Sequence, residues 1–116
     1  MSYDVQLFRI ETKQNHYKNP TAEFFENEEN LVPFTPVQKQ ELHERLLQYD
    51  YVVNGEGSYA HGSVEGIEVL LTDRGVYFTS GRDGIDEILM TTSEFTDSGE
   101  YAKYDPQDMG WEEEPA

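Results

Sequence analysis

The segment from Ile67 to Ser80, IEVLLTDRGVYFTS, constrains the fold more than any other part of the chain. Ile67, Val69 and Leu71 alternate with Glu68 and Leu70, and after Thr72-Asp73-Arg74-Gly75 the alternation resumes with Val76 and Phe78 against Tyr77 and Thr79. Period two on both sides of a short polar break predicts a β-hairpin with a three- or four-residue connection, its glycine free to take positive φ. One face of the hairpin is apolar and needs a cover, which amphipathic helices before and after it supply.

Tyr3 to Glu11 begins as a strand, with Tyr3, Val5 and Leu7 on one side and Asp4 and Gln6 on the other. Phe8 and Ile10 then fall on the polar side, so either a bulge switches the faces or the second sheet face is itself partly apolar. Lys13 to Asn19 reads as a polar loop. Pro20-Thr21 and the following AEFFENEEN predict a short helix, anchored only by Phe24 and Phe25 and carrying Glu26, Glu28 and Glu29 as an acidic surface. Thr35 is a helix N-cap, with Pro36 at the first helical position and Gln38 at the capping-box position. That helix runs to about Tyr49 and buries Leu42, Leu46 and Tyr49 at i, i+4 and i+7.

Tyr51 to Val53 predicts a strand, Asn54 to Gly57 a turn, Ser58 to His61 further extended chain, and Gly62 to Gly66 a second turn. After the hairpin, Gly81 to Gly84 breaks the pattern, and Ile85 to about Phe95 reads as a helix with Asp83 as its cap and Asp86 and Glu87 at its positive end. Glu100 to Tyr104 is a last strand, stopped by Asp105-Pro106. Gly110 to Ala116 reads as a loose acidic tail anchored by Trp111. A chain of 116 residues holds one core. The element order predicts one α+β domain over residues 1–116, a ferredoxin-like β-α-β-β-α-β sheet with an extra strand and its helices on one face.

Charge narrows the partners. The chain has 24 acidic against 8 basic side chains, a net charge of −16. Residues 59–116 carry 14 of the acids and 3 of the bases. Such a field repels phosphate backbones and anionic lipid, which excludes direct nucleic-acid and membrane binding, and it favours a basic protein partner. The absence of cysteine removes disulfides, thiolate chemistry and cysteine-based zinc sites. No basic and apolar leader opens the sequence, so a cytoplasmic location is expected.

Catalytic and cofactor signatures fail on their context. Gly55-x-Gly57-x-x-Ala60 matches a dinucleotide fingerprint in letters, but Tyr59-Ala60-His61-Gly62 does not open a helix. His16, His43 and His61 lack metal-ligand spacing. Asp105, Asp108 and Glu112 lie in a stretch with a correctly placed Gly110, yet Gln107, Met109 and Ala116 stand where a calcium loop needs ligands. No cofactor or metal is implied. Phe8, Ile10, Leu70, Tyr77 and Tyr101 are assigned to the sheet face opposite the helices, which either docks a partner or second copy or is covered by the extra strand and Trp111.

The MSYDV start, the Thr-Pro helix opening near residue 35 and Tyr104-Asp105-Pro106-Gln107 near the end resemble a set of small, uncharacterised bacterial cytoplasmic proteins. Some acidic members of that type resemble immunity proteins, which neutralise a toxin made by the same cell. The resemblance covers both ends and the first main helix, and no catalytic residues come with it. The expectation is a non-enzymatic, immunity-type inhibitor of a basic toxin or enzyme. Its contacts would be Glu26, Glu28, Glu29, Asp83, Asp86 and Glu87, with Tyr77 and Phe8 as apolar anchors. The alternatives are an enzyme with a small-ligand or metal-dependent cleft near His61 and Asp105, and a DNA mimic.

Overall fold

The computed structural model describes residues 3–21, 23–106 and 110–111. Strand β1 (Tyr3–Arg9) leads directly into helix α1 (Ile10–Lys18), followed by two 3₁₀ turns, Phe24–Glu26 and Glu28–Asn30. Helix α2 (Pro36–Gln48) precedes four strands, β2 (Tyr51–Gly55), β3 (Ser58–His61), β4 (Glu68–Leu71) and β5 (Val76–Ser80). A 3₁₀ turn at Arg82–Gly84 opens α3 (Ile85–Phe95), and β6 (Tyr101–Asp105) and β7 (Gly110–Trp111) close the described chain. The seven strands form one sheet in the order β2-β3-β4-β5-β1-β6-β7. Every neighbouring pair is antiparallel, so the class is α+β.

The hairpin around which the sequence is patterned is β4 and β5, in register Val69 with Phe78 and Leu71 with Val76. Its connection is tied by the Thr72 hydroxyl, which accepts from Gly75 N at 3.0 Å while Thr72 N donates to Gly75 O at 2.9 Å. Gly75 does not take positive φ, contrary to expectation. It is needed for space, because a Cβ there would stand 2.9 Å from Tyr77 Oη and 3.0 Å from Phe8 Cε1.

Each face of the sheet carries its own packed layer. Val5, Leu7, Val69, Val76, Phe78 and Tyr101 pack under α2 and α3, where Leu42, Leu46, Ile88 and Phe95 are fully buried. On the other face Phe8, Ala102 and Trp111 pack against Phe24 and Leu31. The irregularity at Phe8 is therefore a two-sided strand and not a bulge: β1 keeps unbroken register with both neighbours. Tyr101, assigned from sequence to the second face, lies in the main core against Phe34, because Ala102 is the residue of β6 that turns to Phe8.

Two other local expectations are corrected. Lys13–Asn19 is not a loop: Lys13 to Lys18 belong to α1 and Asn19 is its C-cap, and the buried Thr12 of that helix accepts from Val32 N at 2.9 Å. Asp83 does not cap α3; the capping position is Gly84, with no side-chain cap bond. A Cβ at Gly84 would meet Ser80 Oγ at 2.1 Å and Ile67 Cγ1 at 2.5 Å, so the close approach of α3 to the sheet requires glycine. Gly110 and Trp111, expected to open a loose tail, are a paired strand with Trp111 buried. Gln107, Asp108, Met109 and 112–116 lie outside the described residues, and with them most of the candidate cation loop.

Helix α2 begins as the sequence dictates. Gln38 N donates to Thr35 Oγ1 and Thr35 N to Gln38 Oε1, both at 3.0 Å, which is a complete capping box. Thr35→Ala is expected to lower the unfolding free energy by about 1 kcal/mol in urea titration. A change below about 0.3 kcal/mol would show that the box contributes little.

Candidate functional site

The candidate contact residues fall into two groups that the fold keeps apart. Glu26, Glu28 and Glu29 are exposed on the 3₁₀ turns of the second face, while Asp83 and Asp86 are exposed beside α3 on the first. Glu87 is turned inward, its Oε1 lying 3.3 Å from His61 Nε2. The carboxylates therefore do not make one patch. Phe8 is also unavailable as a surface anchor, at 1% exposure. Its ring centroid lies 5.4 Å from Phe25 and 5.9 Å from both Tyr77 and Trp111. Tyr77, by contrast, is half-buried and reaches the surface.

Tyr77 comes together with Glu26 and Glu28 in a small groove of about 400 Å³. Phe25, Leu31 and Tyr77 supply its apolar walls, and Glu26, Glu28 and Asp73 its charge. Arg74 belongs to the same groove, but its Nη1 donates to the carbonyls of Glu28 and Leu31 at 2.7 and 2.8 Å. That guanidinium holds the 28–31 backbone against the β4–β5 turn. Burial raises the Tyr77 phenol above its usual pKa, and the nearby Glu28 charge adds to this, so Tyr77 stays a neutral donor.

A larger groove of about 810 Å³ lies on the other side of the same turn, between α2 and the β2–β3 turn. His43 Nδ1 and Tyr59 Oη are 2.6 Å apart on its floor. Burial raises the Tyr59 pKa, with Lys39 opposing. Lys39 Nζ is paired with Asp73 across the groove, and that hydrogen bond together with the Lys39 charge depresses the Asp73 carboxyl below the usual range. Glu56 is exposed at the opposite wall. Sequence reasoning missed this groove. Lys39, His43 and Pro36 share one face of α2, but their partners Tyr59 and Asp73 are 16 and 34 residues away.

The basic side chains explain why the surface charge is so little compensated. Arg9 donates to Pro33 O, Arg45 to Glu94 O, Arg74 to Glu28 O and Leu31 O, and Lys103 to Leu89 O. Half of the 8 bases thus bind backbone carbonyls of their own chain. Among the described residues, Glu26, Glu28, Glu29, Glu56, Asp83 and Asp86 take part in no ion pair.

The other two histidines, His16 and His61, are held inside the fold. Trp111 Nε1 donates to His16 Nδ1 at 2.8 Å within an aromatic cluster with Phe24 and Phe25. His61 Nδ1 accepts from Ser63 N at 3.1 Å and Val64 N at 2.9 Å, which places its proton on Nε2 toward Glu87. His61 on β3 and Asp105 on β6 are separated by β4, β5 and β1, roughly 19 Å at the usual strand spacing; Asp105 accepts from Tyr3 Oη. The cleft expected near these two residues is not formed. Gly55, Gly57 and Ala60 belong to the β2–β3 hairpin, with no helix after them.

Among the described residues no three His, Asp or Glu are placed to hold a metal ion, and no helix is long and apolar enough to cross a membrane. Among the described residues, Val52 and Leu70 at the β2–β4 end of the second sheet face are about half exposed. Glu68 shares that face, two residues before Leu70 on β4 and across Ala60 from Val52. A second copy docked there would set carboxylate against carboxylate.

The chain matches no protein-family model, no curated protein and no solved structure.

Proposed function

We propose that this protein is a non-enzymatic binding module for a basic protein, of the immunity-inhibitor kind, and that it binds through the end of the sheet formed by the β4–β5 turn. The observation carrying this reading is the groove that joins Glu26, Glu28 and Asp73 to the apolar walls Phe25, Leu31 and Tyr77. Carboxylates at an apolar rim accept a lysine or arginine whose stem packs on the aromatics while its head meets the charge. Glu29 flanks this surface. Asp83 and Asp86, on the opposite face, add to the long-range field that speeds encounter but touch a different side of the molecule. A DNA mimic would use the same carboxylates to occupy a nucleic-acid groove, and competition of the bound target with duplex DNA separates the two.

The strand order supports a ferredoxin-like plan for the module. From the pairings, β1 and β4 run parallel with β5 between them, and β5 and β6 run parallel with β1 between them. Helix α2 lies on the connection from β1 to β4 and α3 on that from β5 to β6, two split β-α-β units. On this reading β2, β3 and β7 are additions, more than the single extra strand expected.

The test is a titration with a short arginine-containing peptide, followed through the backbone amides. Shifts are expected in residues 23–31 and 72–77, and affinity should fall at least about tenfold from low to physiological salt. The Glu26→Gln, Glu28→Gln double variant should bind about tenfold more weakly, chiefly through slower association. Shifts concentrated on α3, or affinity indifferent to salt, would sink the assignment.

A further inference from the structure

The β4–β5 turn is a ridge between two grooves, and Thr72 and Asp73 line both of them. Carboxylates stand along the line that crosses it: Glu56 in the larger groove, Asp73 on the ridge, Glu28 and Glu26 in the smaller groove. Buried aromatic and aliphatic surface lies beneath each side, Tyr59 and Leu71 on one and Leu31 on the other. Net charge along the line is negative, with Lys39 the one basic head held on it by an ion pair among the described residues; Arg74 is turned to the 28–31 carbonyls.

We infer that the two grooves act as a single track for an extended segment of the partner bearing two arginines, one engaging Glu56 and the other Asp73 with Glu28. This rests on the reading above and names the chemistry of the bound segment. The β2–β3 and β4–β5 turns leave the same end of the sheet two strand positions apart, about 10 Å. An extended segment of polyproline II form advances about 3.1 Å per residue with three residues per turn, so basic residues at i and i+3 face the same side at about that separation. Lys39 occupies the track in the free protein. Its pair with Asp73 is exposed on both sides, 44% and 82%, and such a pair yields readily to a competing guanidinium that can bind two oxygens at once.

The competition gives the test an unusual sign. Two acetylated peptides serve as probes, one with arginines at i and i+3 and one with the second arginine replaced by alanine. Lys39→Gln is expected to tighten binding of the two-arginine peptide about fivefold. Arg82→Gln removes the same charge on the far face and is the control, expected to change affinity less than about twofold. Glu56→Gln should weaken the two-arginine peptide about fivefold and leave the one-arginine peptide unchanged, whereas Glu28→Gln weakens both. If Glu28→Gln weakens binding while Lys39→Gln and Glu56→Gln do nothing, or if Arg82→Gln gains as much as Lys39→Gln, the track is wrong and the binding surface stands. If neither peptide binds, both ideas fall.

Discussion

Phe8→Ala is expected to lower the free energy of unfolding by about 3–5 kcal/mol, the usual loss for a fully buried aromatic ring. Phe8 is 1% exposed and stands at the centre of the second layer, touching Phe25, Tyr77 and Trp111. Those three rings come from a 3₁₀ turn, from β5 and from β7, so deleting the ring leaves a void that no single element can collapse into. Because stabilities of single domains are only about 5–15 kcal/mol, the variant should be partly unfolded at modest urea. A loss below about 1 kcal/mol would mean that the layer over this face is not an integral part of the fold. The same ring supports the groove, since Phe25 and Tyr77 are its walls. Phe8→Leu, which keeps much of the volume, should leave the protein folded and still weaken binding of the arginine peptide. Unchanged peptide affinity in a folded Phe8→Leu variant would separate the groove from the packing beneath it.

What was legible in the sequence follows from where each side chain spends its energy. The β4–β5 hairpin and α2 were legible because their determinants are local: alternation on both sides of Thr72-Asp73-Arg74-Gly75, and a Thr-Pro-x-Gln start whose two bonds join residues three apart. Helix α1 was not, because it has no apolar stripe. Its contacts are a hydroxyl, Thr12, bonded to a backbone amide 20 residues on, and an imidazole, His16, bonded to an indole 95 residues on. Phe8 was seen to break the pattern, but whether it was buried depended on Trp111, far along the chain. The acidic residues were visible as a composition and invisible as a surface: Glu26–Glu29 and Asp83–Asp86 look alike in sequence and lie on opposite faces of the sheet. Asp73, which joins the two grooves, carried no signal beyond belonging to a turn.

Alkaline pH should remove stability through Tyr51. Burial, opposed in part by the Thr91 hydroxyl and reinforced by the Glu87 charge, pushes its phenol up from 10.0 to about 12. The folded state therefore keeps the proton that the unfolded chain releases from pH 10 upward. With the folded pKa raised, the contribution is complete below the unfolded value and is lost as pH climbs from about 10 to about 12, where the folded group also ionises. A two-unit displacement corresponds to roughly 2–3 kcal/mol. Tyr101, also raised by burial, adds a loss in the same direction. The way to isolate Tyr51 is its phenylalanine variant. The Tyr51 hydroxyl is buried beside the Thr91 hydroxyl but has no partner at hydrogen-bonding geometry among the described residues, so Tyr51→Phe should cost little near neutrality and flatten the alkaline limb. Urea titrations of both proteins between pH 8 and pH 12 should start close together and diverge above pH 10, with the wild type losing roughly 2–3 kcal/mol more than the variant. Phenolate absorbance of the folded protein should show the same group titrating near pH 12 and not near pH 10. Parallel stability curves for the two proteins would mean that the Tyr51 phenol reaches water in the folded state and that the seam between β2 and α3 is open.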